Sequence, residues 1–423
     1  MRRIIQMAAG LAWGLFALAA AAQPLNGGAQ DYDALLAMIG DARIVMLGEA
    51  THGSREFYRE RARITRRLVE EAGFGAVVLE APWETVRRLD AYIRGNGDDA
   101  DATAALGDFI RFPRWSWRNR EVRDFVESLR ALNRDRTPAA APLRLYGMDI
   151  YCEPESAAAV VRHLARHSAE AAALARQRYA CFADYPDEPM LYGREVEAGR
   201  AASCAEGAAA QLAEMAAEAP DEESFAAWQS ARAVHSGEAY YRALYREGAW
   251  SWNLRERHLA DTLVQLLERM GPAGKIVVWA HNSHQGDARE SDQGAVGELS
   301  LGQLMRERYG AAAVLVGFST YRGRVRAAAD WGEPDRVWRL RPALAQSWHE
   351  RLHRLGQPRL LLIFRGNPVL AEQFAERRLE RVVGVSYVPV AERASHYRHS
   401  RLSRQFDAVI HIDVTSAVDA LPR

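Results

Sequence analysis

The chain has 423 residues, and its 55 lysines and arginines balance its 55 aspartates and glutamates. A balanced charge gives no indication of a nucleic-acid partner, and the length predicts one large domain with an insertion, or two domains. There are three cysteines, Cys152, Cys181 and Cys204, and no C-x-x-C sequence. This argues against a zinc ribbon or a thioredoxin-like site, whereas an oxidising compartment would allow one disulfide, whose pairing the sequence leaves open.

The amino terminus has the three parts of a secretory signal peptide. The basic residues 2–3 precede an apolar run over about 4–18, which is followed by the alanines 20–22. We therefore predict that residues 1–22 are a signal peptide, cleaved near Ala22, and that the protein is periplasmic or secreted. An uncleaved anchor is the alternative. No later apolar stretch approaches the roughly 20 residues of a membrane span, so we expect no stable span after cleavage.

The first predicted elements alternate between strand and helix. An apolar run over 44–47 predicts a buried strand, which ends in Gly48-Glu49-Ala50-Thr51-His52-Gly53 before a helix over 54–72. A second apolar run, 76–79, ends at Glu80 and leads into another helix. This β-α-β-α order predicts parallel strands joined by right-handed crossovers.

The middle of the chain changes in composition after a third predicted strand over 143–149. From about 153 to 250 the sequence is rich in Ala, Glu, Arg and Gln and has no strand pattern. Alanine favours helices, so we predict an α-helical cap inserted directly after a strand end. Residues 23–423 would then form one domain that contains this cap.

The last third returns to strands. A run over 275–280 is followed at once by His281 and His284. A strand over 312–319 comes next, with 324–328 expected as its antiparallel neighbour, and further strands are predicted over 359–364, 382–387 and 408–412. Together these elements predict an α/β fold in which a mostly parallel central sheet is flanked by helices and carries a helical cap insertion.

Three of the predicted strands end in side chains that can do chemistry. The carboxyl ends of parallel strands share one edge of a sheet, so these side chains are expected to meet there: Glu49, His52, Glu80, His281 and His284. Taken alone, the first of these strand ends is equally compatible with a polar turn that caps a helix. Trp115 and Trp117 either wall a substrate groove beside this edge or pack onto the core.

Two kinds of chemistry fit such a cluster. In the first, His52 is a general base that takes a proton from water, Glu49 fixes its tautomer and Glu80 orients the water or a second histidine. An oxyanion would then be stabilised by nearby donors, namely Arg61, His281 and His284. In the second, the same glutamates and histidines bind a divalent metal that generates hydroxide. The chain has no G-x-S-x-G, no P-loop and no G-x-G-x-x-G after a strand, so a serine hydrolase or a nucleotide site is not favoured.

Several separated motifs resemble those of the erythromycin esterase family. They cover nearly the whole mature chain: Gly48-Glu49-Ala50-Thr51-His52-Gly53, Phe74 to Glu80, Gly147-Met148-Asp149, Asn253-Leu254-Arg255, Trp279 to His284, Gly302-Gln303, and Tyr387 through Phe406-Asp407 with Glu392 and His396-Tyr397. The cap is the part that matches least well. The resemblance implies a hydrolase that opens a macrolide lactone with activated water and needs no metal.

Carried over residue by residue, the resemblance assigns the catalytic roles. It makes His52 the base, with Glu49 and Glu80 as supporting carboxylates, and adds Arg61, His281 and His284 to the catalytic set. Candidate substrate contacts are Trp115, Trp117, Asp149, Glu392, His396 and Tyr397. We expect no cofactor, a small-molecule ester as substrate and a possible role in macrolide resistance. A metal-dependent hydrolase and a non-catalytic, envelope-polysaccharide-related binding protein are the alternatives.

Overall fold

The structure is a computed structural model that describes residues 22–137, 140–151, 153–185, 188–216 and 221–422. The predicted signal peptide, except for Ala22, and the thiol of Cys152 lie outside these residues. Within the described residues no helix is both long and apolar enough to span a membrane.

A nine-stranded sheet forms the centre of the molecule, and a two-stranded sheet lies apart from it. The strands are, in chain order, β1 (Gln23–Pro24), β2 (Ile44–Leu47), β3 (Ala76–Pro82), β4 (Arg144–Asp149), β5 (Ile276–Trp279), β6 (Ala313–Ala328), β7 (Asp335–Leu340), β8 (Arg359–Ile363), β9 (Arg378–Arg381), β10 (Tyr397–Ser400) and β11 (Ala408–Thr415). The central order is β1-β8-β11-β6-β2-β5-β3-β4, with β7 paired to β6, and β9 pairs with β10.

The strands that position the candidate site are parallel. β2 pairs in parallel with both β5 and β6, β3 with both β4 and β5, and β11 with β6. Antiparallel pairing is confined to β1–β8, β8–β11 and β6–β7 in this sheet. The predicted α/β class with a mostly parallel sheet is therefore confirmed.

Helices cover both faces of the sheet. They are α1 (Asp33–Ile39), α2 (Arg55–Glu71), α3 (Trp83–Ile93), α4 (Ala102–Ala105), α5 (Arg114–Trp117), α6 (Arg120–Asp135), α7 (Glu153–Ala165), α8 (Ala169–Arg178), α9 (Pro189–Glu197), α10 (Ala205–Ala216), α11 (Glu222–Ala243), α12 (Trp250–Met270), α13 (Asn282–Gln285), α14 (Asp292–Ala295), α15 (Leu301–Tyr309), α16 (Trp348–His353), α17 (Pro368–Gln373), α18 (Glu392–Ser395) and α19 (Leu402–Gln405).

The parallel strands are apolar on both faces because each face packs against helices. On one face Val45, Leu47 and Trp279 join a core with Phe57 of α2 and Phe125 of α6. On the other face alternate residues of the same strands join a second core with α12 and α15, including Ile44, Met46, Val278, Leu263 and Leu301. This alternation explains why uninterrupted apolar runs in the sequence mark the central strands.

The segment predicted as a cap is helical throughout its described part, from α7 to α11. It has a small core of its own, in which Val160 and Ala175 pack with Ala231 and Val234. The disulfide that the sequence left open joins Cys181 to Cys204, with Cα atoms 5.6 Å apart.

Two predicted strands in the last third were wrong. Residues 324–328 are not a separate antiparallel strand, because β6 runs without a break from Ala313 through Gly323 to Ala328. Gly323 allows a close crossing: a Cβ there would lie 2.0 Å from the Thr415 carbonyl oxygen. The antiparallel neighbour of β6 is β7.

Residues 382–387 likewise form no regular strand. They make isolated bridges only, with Val383 beside Thr51 and Ser386 beside Ala328. The regular strand precedes them, as β9, and its partner β10 follows them at Tyr397–Ser400. The chain here crosses the ends of the central strands and so contributes to the candidate site.

Candidate active site

The turn after β2 begins and ends at glycines, and other residues approach the backbone of each glycine closely. A Cβ on Gly48 would lie 2.2 Å from Asn282 Oδ1, and one on Gly53 would lie 1.9 Å from the Arg326 carbonyl oxygen. The side-chain amide of Asn282 in turn donates to the Phe318 carbonyl oxygen at 2.7 Å. Its backbone N–H donates to the Glu49 carbonyl oxygen at 2.8 Å. Only glycine fits at both ends of the turn, which fixes where Glu49 and His52 point.

A hydrogen-bonded relay runs from His52 into the protein. His52 Nδ1 lies 2.8 Å from Glu49 Oε1, and Glu49 Oε2 accepts from Arg61 Nη2 at 2.6 Å. Glu49 and Arg61 are fully buried, whereas the His52 side chain keeps 13% of its surface exposed. The Arg61 guanidinium also lies over the rings of Tyr58 and Trp279, at 4.5 and 4.6 Å.

The relay fixes the state of the His52 ring. The ionised Glu49 can only accept, so Nδ1 of His52 carries the proton and donates it. Nε2 then keeps its lone pair at the exposed side of the ring. A histidine held in this tautomer by a buried carboxylate is arranged to take a proton through Nε2.

A second charged cluster lies at the ends of β3 and β4. Arg255 of α12 donates to Asp149 Oδ1 and Oδ2 at 2.9 and 2.6 Å and to Glu80 Oε1 at 2.8 Å. Glu80 Oε2 accepts from the His281 amide at 2.8 Å. Burial alone would raise the pKa of Glu80, but His284, Arg255 and His52 outweigh it, and the pKa lies well below its usual value.

His284 is clamped between two carboxylates. Its Nδ1 forms a very short contact with Glu256 Oε1, and its Nε2 lies 3.1 Å from Glu80 Oε1. Nε2 also lies 3.1 Å from Arg255 Nη1, a contact that favours the neutral ring. Burial and Arg255 lower the pKa of His284, but Glu256 and Glu80 outweigh them and raise it to about 9. His284 is therefore an imidazolium at neutral pH, stacked on Trp252 at 4.8 Å.

His281 is held in the opposite state. Its Nδ1 accepts from the Ser283 amide at 3.3 Å and lies 2.9 Å from Ser283 Oγ. Burial first, and then the neighbouring His52, keep the pKa of His281 well below its ordinary value, so the ring is neutral. Since Nδ1 accepts, the proton of the neutral ring is on Nε2, and this buried nitrogen has no hydrogen-bond partner among the described residues.

His52 and His281 face one cavity of about 250 Å³. Their ring centroids are 4.8 Å apart. Glu80, Asp149, Arg255 and His284 also line the cavity, and Trp117 forms part of its wall while its Nε1 donates to the Glu80 carbonyl oxygen at 3.1 Å. One wall of this cavity therefore offers a proton acceptor on His52 beside a free N–H donor on His281.

The structure brings most of the predicted site residues together. The side chains around or directly behind the cavity are Glu49, His52, Arg61, Glu80, Trp117, Asp149, His281 and His284. Trp115 is 2% exposed and lies in the core beside the site instead of on the cavity wall.

Three predicted substrate contacts lie away from this cavity and bind other parts of the protein. Glu392 Oε1 accepts from Arg381 Nη1 at 3.1 Å. His396 Nε2 accepts from the Val388 amide at 2.9 Å, and the Tyr397 hydroxyl accepts from the Leu344 amide at 3.0 Å. These contacts fix the segment after β9, whose residues Val382, Gly384 and Val385 do reach the cavity.

Two residues of the site were not assigned by the sequence analysis. Arg255 was part of the motif Asn253-Leu254-Arg255 but was given no role, and no role was predicted for Glu256. Both lie on α12, 8% and 0% exposed. Adjacent charged residues on a helix ordinarily point to solvent, so the signal that could have found them was the N-L-R motif alone.

The donor set does not suit the metal alternative. Both oxygens of Glu49 and both oxygens of Glu80 are already engaged by N–H groups, and His284 carries two protons. Metal ligands must be deprotonated and free to bind. No group of three or more suitable side chains within the described residues could hold a metal ion.

Comparison with known protein families matches the sequence of this chain to one family model. A model of the erythromycin esterase family matches residues 69–415. An 81-residue segment is 31% identical to an erythromycin esterase type II from Escherichia coli, and it covers 19% of this chain and 18% of that protein.

Solved structures show the same fold. A succinoglycan biosynthesis protein superimposes with a TM-score of 0.79 at 22% identity over 96% of this chain and 98% of that one. A Bacillus cereus protein gives 0.80 at 20% identity over 96% and 98% of the chains. A mutant of the erythromycin esterase EreC in its open conformation gives 0.68 at 18% identity over 93% and 96%. Because the family model spans residues 69–415, the protein belongs to the erythromycin esterase family, and this membership supports a hydrolase that acts on esters.

Proposed function

We propose that the protein hydrolyses a carboxylic ester of a macrolide-like lactone with a water molecule that His52 activates. One observation carries the proposal: His52, whose Nδ1 is bound to Glu49, and His281, whose buried Nε2 has no hydrogen-bond partner among the described residues, line one cavity with their ring centroids 4.8 Å apart. A proton acceptor beside a buried donor is the minimum that water attack on a carbonyl requires.

The reaction then needs one base and one site for negative charge. His52 Nε2 takes a proton from water as the water oxygen bonds to the carbonyl carbon, and the Glu49 carboxylate stabilises the imidazolium that forms. The carbonyl oxygen becomes an oxyanion, which accepts from His281 Nε2–H. When the tetrahedral intermediate collapses, the C–O bond to the alcohol breaks, and His52 returns its proton to the leaving oxygen. Water and ester thus give one acid and one alcohol.

The second cluster supplies the electrostatic background. Arg255 and the charged His284 bring two positive charges to one wall of the cavity, against the buried carboxylates of Glu80, Asp149 and Glu256. The three carboxylates exceed the two cations in charge, so this cluster orients Glu80 and the His281 amide that Glu80 binds, and the oxyanion depends on the N–H of His281 Nε2. Glu80 is not the base, because its pKa lies well below its ordinary value and both its oxygens accept hydrogen bonds.

The macrolide-like substrate and a role in resistance are proposals that rest on the family. The Escherichia coli relative is named for erythromycin, but the match spans 18% of its length. Export to the periplasm or beyond likewise stays a prediction from residues 1–22, and amino-terminal sequencing of the mature protein tests it.

A non-catalytic role in envelope-polysaccharide chemistry is the remaining alternative, and one structural neighbour is titled a succinoglycan biosynthesis protein. The relay from Arg61 through Glu49 to His52 favours catalysis. Burying the Arg61–Glu49 pair costs stability, and such buried charge partners of a titratable group are concentrated at functional sites.

A single turnover in ¹⁸O-labelled water tests the proposal. With enzyme in excess over erythromycin, we expect ring opening with one ¹⁸O atom in the carboxylate formed during the first turnover. Unlabelled carboxylate would mean that a protein carboxylate attacks instead of water. Turnover in His52→Ala equal to that of the wild type would overturn the assigned base.

A further inference from the structure

A second, larger concavity opens from the catalytic cavity between the helical cap and the body of the molecule. The outer groove, as we call it, has a volume of about 800 Å³. Arg111, Phe112, Tyr151 and Trp331 line both the groove and the catalytic cavity, so the two adjoin each other.

The cap forms one wall of the outer groove. Met190 of α9 and Tyr240 of α11, followed by Leu244 and Tyr245, face Trp331 across it. The two cap helices are locked together, since a Cβ on Gly193 would lie 2.2 Å from the Tyr241 carbonyl oxygen. The wall is therefore a rigid surface.

Apolar side chains are left uncovered in the outer groove. Met190, Tyr245 and Trp331 are 42%, 43% and 52% exposed, although each is a large hydrophobic side chain. The Phe112 and Trp331 rings, 5.0 Å apart, mark the junction with the catalytic cavity. Clustered exposed aromatic residues beside a concave site are typical of a ligand surface.

Size indicates what the groove holds. Pockets that enclose drug-sized ligands measure about 300–1,000 Å³. The catalytic cavity, at about 250 Å³, falls below this range, and the outer groove, at about 800 Å³, falls within it. A macrocyclic ester therefore fits only if its ester group enters the cavity while the rest of the ring lies in the groove.

We propose that the outer groove is the binding site for the largely uncharged, ring-bearing part of the ester substrate. This inference rests on the proposed function, since it takes the ester group to lie beside His52. Met190, Tyr240, Tyr245 and Trp331 would then determine which large esters are accepted, while the catalytic cavity alone suffices for a small ester.

Equilibrium binding separates this inference from catalysis. In a His52→Ala background, which binds the lactone without consuming it, calorimetry with erythromycin gives the Kd. We expect Tyr245→Ala and Met190→Ala each to raise this Kd by about tenfold, because a well-placed contact side chain contributes that much. Val369→Ala, at an exposed apolar residue on α17 that does not line the groove, is the control and leaves the Kd unchanged.

A matched pair of substrates gives the second measurement. The ratio of kcat/KM for erythromycin to that for p-nitrophenyl acetate is expected to fall about tenfold in Tyr245→Ala and to stay constant in Val369→Ala. An unchanged Kd in both groove variants, or no binding of erythromycin at all, overturns the inference. Binding with no hydrolysis of either ester by the wild type overturns the proposed function and leaves the groove as a binding site.

Discussion

His52 and His284 are two histidines of one site, and their surroundings prepare them for opposite tasks. His52 has one carboxylate partner, Glu49, and remains partly exposed. His284 is buried between two, Glu256 and Glu80, which hold its pKa at about 9. The two differ in the number of carboxylates around the imidazole: in the proposed mechanism the single carboxylate orients a base, whereas the second carboxylate at His284 keeps the ring charged.

His281 completes the comparison, because no carboxylate among the described residues is hydrogen-bonded to its ring. Its Nδ1 meets only Ser283, and burial with the nearby His52 keeps its pKa well below the ordinary value. In the proposed mechanism, three histidines at the same sheet edge thus provide a base, a neutral donor and a fixed positive charge.

The largest expected effect comes from removing the base. His52→Ala should lower kcat for erythromycin by about 10²–10⁴-fold, because general-base catalysis contributes that much. The matched control is His167→Ala, an exposed histidine of the cap, which should keep full activity. Product formation followed by mass spectrometry measures both. If both variants keep wild-type rates, His52 is not the base.

A smaller effect is expected from replacing one of the two carboxylates that keep His284 protonated, Glu256 and Glu80. Glu256→Gln removes one of its two carboxylates, so the pKa of His284 should fall from about 9 by about 1–2 units. We expect kcat at pH 8 to drop about tenfold, and a ¹⁵N-resolved titration of the ring reports the pKa. Glu268→Gln, an exposed glutamate on the same helix, is the control. A ring that still titrates near pH 9 in Glu256→Gln would contradict the assigned cause.

The dependence of the wild-type kcat on pH also tests whether the charge on His284 contributes to catalysis. The folded-state pKa of His284 is raised above its ordinary 6.5, so the charged ring is present below about pH 9 and is lost above it. Its contribution to stability is complete below about pH 6.5 and disappears as the pH rises through 9. We expect kcat to fall above pH 9, with the downward limb moved to lower pH in Glu256→Gln. A profile that stays flat to pH 10 would contradict the account.

The smallest effect concerns the far end of the relay. Arg61→Lys keeps the charge beside Glu49 but loses the planar contact with Tyr58 and Trp279. We expect a destabilisation of about 1–2 kcal/mol, seen as a lower Tm, and a kcat reduced only a few-fold. Arg59→Lys, on the exposed side of the same helix, should leave both unchanged. Equal losses in the two variants would show that Arg61 has no special place in the relay.

The sequence was sufficient for the half of the site that lies at strand ends. Buried parallel strands are unbroken apolar runs, so the polar residue that stops each run is visible, as Glu80 is after Leu79. Parallel pairing then places such residues at one edge, where the structure brings Glu49, His52 and His281 together.

The other half depends on packing that the sequence does not display. Arg255 and Glu256 are adjacent on α12, where nothing but tertiary contact makes them buried. Likewise the sequence divided 312–328 into two strands, whereas in the structure Gly323 lies within one continuous strand and allows β6 to pass close to Thr415. Local patterns indicate the buried central strands, but contacts between distant segments decide where the other strands run and where a glycine or a charged helix residue lies.

Chemical rescue tests most directly whether His52 is the base. The cavity of about 250 Å³ admits a free imidazole where the His52 ring has been removed. Added imidazoles should restore hydrolysis of p-nitrophenyl acetate by His52→Ala, and the restored rate should rise with the basicity of the added imidazole. No rescue at any imidazole concentration, or rescue that does not depend on basicity, would contradict the assignment of His52 as the group that takes the proton from water.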